Sequence, residues 1–252
     1  MMDRKEQSRE VMRRLYGLAK SPMSATDPNF AAIKERLVYG EVYEHIKLDA
    51  KLREFILLAV AATNETPDEV ELHTAAALSV GATPAQIKEA VYQSAPYIGM
   101  GKTEMAVKAV NRALAARGIS LPAGERFGTV TEDSRLDDGL ATQKSIFGAS
   151  IDAMRESASE DTRHIQDYLS AWCFGDFYTR GGISVKDREL LTFSILCAQG
   201  GCEPQLRGHV GGNAAVGNGR DVLLDALTLI IPYIGFPRTL NALNVINELL
   251  PA

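Results

Sequence analysis

Lys51-Leu-Arg-Glu54, His73 and Pro96-Tyr-Ile-Gly99 are answered later in the same chain by Lys186-Asp-Arg-Glu189, His209 and Pro232-Tyr-Ile-Gly235. The interval from histidine to proline is 23 residues both times (96 − 73 and 232 − 209). Tyr39-Gly-Glu-Val-Tyr43 is likewise answered by Phe174-Gly-Asp-Phe-Tyr178. Upstream of the histidines the copies are offset by 135 (188 − 53) and from the histidines onward by 136 (209 − 73), so one residue enters near Gly200-Gly201. A repeat of this length is a whole domain, not a solenoid unit. Residues that recur at fixed spacing are the first candidates for shared structure or shared chemistry.

Around these landmarks the helix signals are dense and hairpin signals nearly absent. Thr66-Pro67-Asp68-Glu69 reads as an N-cap, a proline at the first helical position and a capping-box acid, opening a helix that Gly81 stops. Thr83-Pro84-Ala85-Gln86 opens another that ends before Pro96. Copy two repeats the order: a helix from Lys186 to about Cys197, one from about Glu203 to Val216, one to Ile231, a break at Pro232 and a last helix to Leu249. Earlier helices are expected over 3–19 and 29–43 in copy one, and over 136–147 and 161–177 in copy two. The reading is all-α, with two similar helical domains packed about a pseudo-twofold axis: copy one at 1–117, a breaker-rich linker at 118–135, copy two at 136–252.

At 252 residues the chain has room for two cores, one in each copy. A net charge of −5 without a basic stripe argues against nucleic acid. No apolar run approaches the roughly 18 residues of a membrane span, and the charged start at Met1-Met-Asp-Arg-Lys lacks the apolar core of a signal peptide, so a cytoplasmic location is expected. Cys173, Cys197 and Cys202 form neither a disulfide framework nor a C-x-x-C metal or redox pair.

In copy two, Cys202, Gln205 and His209 stand at steps of three and four, which sets them on one helix face. Copy one holds Thr66, Glu69 and His73 there. At a helix N-terminus the macrodipole lowers a thiol pKa, and an imidazole two turns on could exchange protons with it. Glu54 and Glu189 precede the histidines by 19 and 20 residues, a reach that a helix hairpin can close. Acid, imidazole and thiol around one pocket would form a proton relay, with Glu203 or Gln205 at its rim. The same steps also describe a buried helix face, Glu69 also reads as a cap, and Glu54 and Glu189 also read as partners of Arg53 and Arg188. Lacking a thiol, copy one is expected to be the weaker half. His45, His164, Cys173 and Cys197 have no counterpart and read as structural or solvent-facing.

Arg-Glu, an apolar helix, an acid or cysteine helix start, His, a Gly stop and Pro-Tyr-x-Gly together resemble the carboxymuconolactone decarboxylase family, which includes the alkyl hydroperoxidase D-like proteins. The match is fullest over Trp172-Cys-Phe-Gly-Asp-Phe-Tyr-Thr-Arg-Gly-Gly-Ile183, Arg188 and Cys202-Glu-Pro-Gln-Leu-Arg-Gly-His209. The decarboxylase branch implies a lyase that needs no cofactor or metal, centred on a histidine with nearby carboxylates: His209 with Glu203, and a second set of His73 with Glu69. Glu189 and Glu54 stand where that branch has a small hydroxyl residue and match the glutamate of the hydroperoxidase branch instead. A carboxylated, lactone-type small molecule would be the lyase's substrate, met by cations such as Arg188 beside Gln205. The hydroperoxidase branch implies instead a peroxidase using Cys202, but Gln205 stands where its second cysteine belongs, so an outside thiol would have to reduce it. A member that only binds a small molecule is a third reading. One-domain members resemble rings of six, which implies a homotrimer of this tandem chain.

Overall fold

The computed structural model describes residues 3–122 and 127–252. Copy one runs through helices Arg4–Tyr16, Pro28–Leu37, Ala50–Thr63, Pro67–Ser79, Pro84–Tyr92, Ala95–Ile98 and Met100–Ala115. Copy two runs through Arg135–Phe147, Ser150–Glu156, Arg163–Tyr168, Val185–Gln199, Glu203–Ala215 and Arg220–Leu249. Both copies insert a π-helical stretch before the glutamate helix, Val38–Val42 in one and Leu169–Tyr178 in the other. The fold is all-α, two related helical segments in tandem, with no strand among the described residues.

Several helix starts follow local chemistry. Asp49 accepts from the backbone of Lys51 and Leu52, Ser184 from that of Asp187, and Thr83 with Gln86 closes a reciprocal capping box. Thr66 does not cap: its hydroxyl donates to the Ala61 carbonyl, which frees Glu69 for a partner further along its own helix. The breaks near the Pro-Tyr-Ile-Gly motifs also differ from expectation. The last helix continues through Pro232 and turns at Gly235 (φ 73°, ψ 167°), and the short Ala95–Ile98 helix, which contains Pro96, ends at Gly99 (φ 84°, ψ 161°). These backbone angles are open to glycine and strained for other residues, so the glycine is the true punctuation.

The recurring Gly-acid pair is explained by a helix crossing. A Cβ on Gly40 would sit 2.2 Å from the Arg4 carbonyl oxygen, and one on Gly175 would sit 2.1 Å from that of Arg135. Glu41 then pairs with Arg4, and Asp176 with Arg135, whose Nε lies 3.0 Å from Oδ1. The first helix of each copy is thereby locked across its π-helical stretch.

The two copies do not keep separate cores. Helices Ala50–Thr63 and Val185–Gln199 pack against each other at the centre, and Ile56, Leu57, Leu58, Leu190, Leu191 and Phe193 belong to one buried cluster spanning both copies. A helix apolar on most sides is stable only when enclosed, and each such Leu or Ile contributes about 1.5–3 kcal/mol of burial free energy. A buried ionic knot adds specificity to this seam. Glu89 of copy one takes Arg188 at 3.0 Å and Arg180 at 2.7 Å, and Gln93 accepts from Arg188 at 2.9 Å. Helix Arg220–Leu249 is long and apolar enough, by composition alone, to cross a bilayer; here Gly235 breaks it, and Leu223, Ala226, Leu229, Ile230 and Ile246 are buried in the shared core.

Candidate active site

Each copy builds a Glu-His pair from its glutamate helix and the helix that follows. In copy two, His209 Nδ1 lies 2.9 Å from Glu189 Oε2, and the Tyr178 hydroxyl donates to Glu189 Oε1 at 2.7 Å. In copy one, His73 Nδ1 lies 2.8 Å from Glu54 Oε2, and the Tyr43 hydroxyl donates to Glu54 Oε1 at 2.8 Å. The tyrosine precedes its glutamate by 11 residues in both copies (54 − 43 and 189 − 178), a recurrence visible in the sequence. An ionised carboxylate only accepts, so Nδ1 carries the proton in each pair and Nε2 is the atom left for other work.

The second tyrosine of each site comes from the opposite copy. Tyr97 packs edge-on against His209, and Tyr233 packs edge-on against His73. The exchange is reciprocal, as a two-fold relation between the copies requires, and it explains why Pro-Tyr-Ile-Gly is repeated. Tyr97 also bonds the Tyr178 hydroxyl at 3.1 Å. Burial raises both of these phenols well above their ordinary range, so they stay protonated.

Beyond this common frame the two sites diverge. The ring of His73 is 0% exposed and held between two acids, Glu54 and, across a 3.5 Å ion pair at Nε2, Glu69. Lys34 Nζ lies 2.6 Å from the other Glu69 oxygen. Burial alone would lower the His73 pKa, but Glu54 and Glu69 outweigh it and raise it to about 9. Glu69 is lowered to about 2, mainly by His73, with burial opposing and Lys34 assisting. His209 keeps 11% of its side chain exposed, and Gln205 replaces the second acid. Phe147 packs edge-on against the His209 ring, Asn213 donates to the carbonyls of Glu189 and His209, and a Cβ at Gly212 would lie 2.7 Å from Glu189 Oε2. Phe147, Asn213 and Gly212 give no repeated signal; in copy one the place of Gly212 is held by Ala76 (212 − 136).

Several expected participants lie elsewhere. Cys202 does not join His209 and Glu189: its thiol donates to the Leu196 carbonyl at 3.5 Å, beside a small crevice that Glu203 also borders. It occupies the cap position with no side-chain cap bond, and burial, then Glu203, raises its pKa, the reverse of the lowering expected from the helix dipole. Gln205 is exposed. Arg188 is 0% exposed and engaged by Glu89, Gln93 and the carbonyls of Arg180 and Gly181, so it has no open face for a substrate carboxylate. Arg207, a further cation on the His209 helix, pairs with Glu248. Cys173 and Cys197 are buried, with the Cys173 thiol pushed up to about 12 by desolvation, while His45 and His164 are exposed. Among the described residues no cluster of three or more His, Cys, Asp or Glu side chains is arranged to hold a metal ion.

Two large cavities flank this machinery without being lined by either histidine. One, of about 620 Å³, is mostly apolar and lies between helix Met100–Ala115 and the copy-two π-helical stretch, walled by Tyr92, Trp172 and Phe177. The other, of about 520 Å³, lies between the copies and is walled by both Tyr97 and Tyr233.

Comparison with known proteins agrees with this architecture. The model of the Carboxymuconolactone decarboxylase family matches residues 28–112 and 163–248, more than half of the chain and once in each copy. A 4-carboxymuconolactone decarboxylase from Acinetobacter baylyi is 25% identical over 122 residues, which cover 47% of this chain and 89% of that protein. A solved chain from Burkholderia xenovorans, provisionally named a gamma-carboxymuconolactone decarboxylase subunit, shares 21% identity with a TM-score of 0.55 over 97% of both chains, a likeness of fold. With the family pattern matched twice over the two Glu-His units, the chain belongs to the carboxymuconolactone decarboxylase family.

Proposed function

We propose that the protein is a cofactor-free lyase that decarboxylates a small, carboxylated, lactone-type metabolite, with His209 transferring the proton. The observation that carries this reading is the Glu189-His209 pair: Nδ1 is fixed by a buried carboxylate while the ring keeps access to solvent. Loss of carbon dioxide leaves an electron pair that a conjugated lactone carbonyl can accept as a dienolate, and collapse of that dienolate needs one proton at carbon. Nε2 of His209, after taking up a proton from solvent water, delivers it to that carbon and is left neutral, and Glu189, held in turn by Tyr178, keeps the ring aimed. Copy one serves as the structural partner that delivers Tyr97. The name of the Acinetobacter baylyi relative favours the same chemistry.

A thiol peroxidase would need Cys202 as a thiolate. Its bond to the Leu196 carbonyl and its raised pKa work against that reading. The test is direct. Wild type is given the carboxylactone while carbon dioxide is followed, and separately a hydroperoxide with a dithiol; the lyase reading expects the first activity, intact in Cys202→Ser. Peroxide turnover that Cys202→Ser abolishes, without carbon dioxide release, would replace it.

The same reading includes assembly as a homotrimer. Phe30, Ile33 and Leu37 in copy one, and Ile165, Tyr168 and Leu169 in copy two, leave exposed apolar stripes on equivalent helices, which self-association would cover. Light scattering should report three chains.

A further inference from the structure

We propose that the cavity of about 520 Å³ between the copies binds a small organic carboxylate through Arg238. The inference does not rest on the lyase reading, since neither His209 nor Glu189 lines the cavity. Its walls come in pairs related by the duplication: Asn64 with Gln199 (199 − 64 = 135), Tyr97 with Tyr233 and Lys102 with Arg238 (238 − 102 = 136). One pairing fails, and it decides the charge. Glu65 neutralises Lys102 at 2.8 Å, but its counterpart at 200 (65 + 135) is glycine.

Among the described residues no ion pair involves Arg238, although it and Glu203 both border an adjoining crevice. A Cβ at Gly200 would lie 3.2 Å from Arg238 Nε, so the glycine also gives the guanidinium its place at the cavity wall. With Lys102 and Arg238 against Glu65, the lining carries one uncompensated positive charge. A planar guanidinium matches a carboxylate through two parallel hydrogen bonds. Asn64 uses its amide nitrogen on the Tyr233 carbonyl, which leaves its oxygen, with the Gln199 amide, to meet polar groups on the rest of the ligand. The volume lies within the range of small-molecule sites and exceeds what a lone inorganic oxyanion fills. Tyr97 is a wall shared with the His209 ring, so an occupant would lie one side chain away from the candidate active site.

The probe is levulinate, a carboxylate with one ketone oxygen, titrated calorimetrically into the intact chain at low salt. Saturable binding is expected, absent for methyl levulinate, weakened by at least about tenfold in Arg238→Gln, and strengthened several-fold in Glu65→Gln, which releases Lys102. Arg238 and Glu65 are exposed, so both variants should melt as wild type does. No saturable binding, equal affinity in Arg238→Gln, or inorganic phosphate binding as tightly as levulinate would each overturn the assignment.

Discussion

The His73 and His209 sites share a frame and differ in what stands beyond the second nitrogen of the imidazole. Both hold an imidazole on a buried glutamate, a tyrosine behind that glutamate, and a second tyrosine from the opposite copy. Glu69 and Lys34 close copy one into an ionic chain with no exposed imidazole, whereas Gln205 leaves His209 open. Duplication preserved the scaffold of the pair, and the surroundings of the second imidazole nitrogen differ between the copies. His73 faces an acid from each nitrogen and is fully enclosed, whereas His209 has one such acid and keeps part of its side chain exposed.

The strongest way to break this comparison is to remove each histidine. His209→Ala should lower turnover by about 10²–10⁴-fold with a modest change in stability. His73→Ala should leave buried Glu54 without its cation, while Glu69 keeps Lys34, and destabilise by about 3–5 kcal/mol, with turnover per folded molecule little changed. Carbon dioxide release and urea unfolding measure the two arms, and the opposite pattern would exchange the roles of the copies.

Next in size is Gly212→Ala, which installs the residue that copy one already has at Ala76. The new methyl meets Glu189 Oε2, and a carboxylate held by both Tyr178 and His209 cannot yield without losing one of them. Turnover should fall about tenfold or more while the melting temperature changes by a few degrees, as expected for about 1–3 kcal/mol of overpacking. Ala76→Gly should leave turnover unchanged.

A smaller effect is the pH dependence of stability. The His73 pKa is raised from 6.5 to about 9 on folding, so its contribution is complete below about 6.5 and is lost as pH rises through about 9. The Glu69 pKa is lowered from 4.5 to about 2, so its contribution is complete above about 4.5 and is lost as pH falls through about 2. Wild type should therefore be less stable at pH 10 than at pH 6, and His73→Gln should flatten that alkaline decline in urea titrations.

The smallest expected contrast lies in the exchanged tyrosines. Tyr97→Phe removes a hydroxyl bonded to Tyr178 and should cost about 0.5–1.5 kcal/mol. The Tyr233 hydroxyl is buried with no partner among the described residues, so Tyr233→Phe should be neutral or slightly stabilising. Thermal melts of the two variants compare the sites directly.

The sequence by itself determined what depends on local chemistry and on repetition. The helix start at Thr83 followed from its capping box, the all-α class from dense helix signals with hairpin signals nearly absent, and the glutamate-histidine pairing from two residues that recur with an almost fixed interval. Only the tertiary structure decided which copy each repeated residue serves. Tyr97 and Tyr233 cross to the opposite histidine because the glutamate helices pack on each other and merge the two cores, a contact between segments more than 100 residues apart. The same packing buries Arg188 on Glu89 and turns Cys202 toward the Leu196 carbonyl. Spacing along a helix fixes which residues share a face; what that face meets depends on the other half of the molecule.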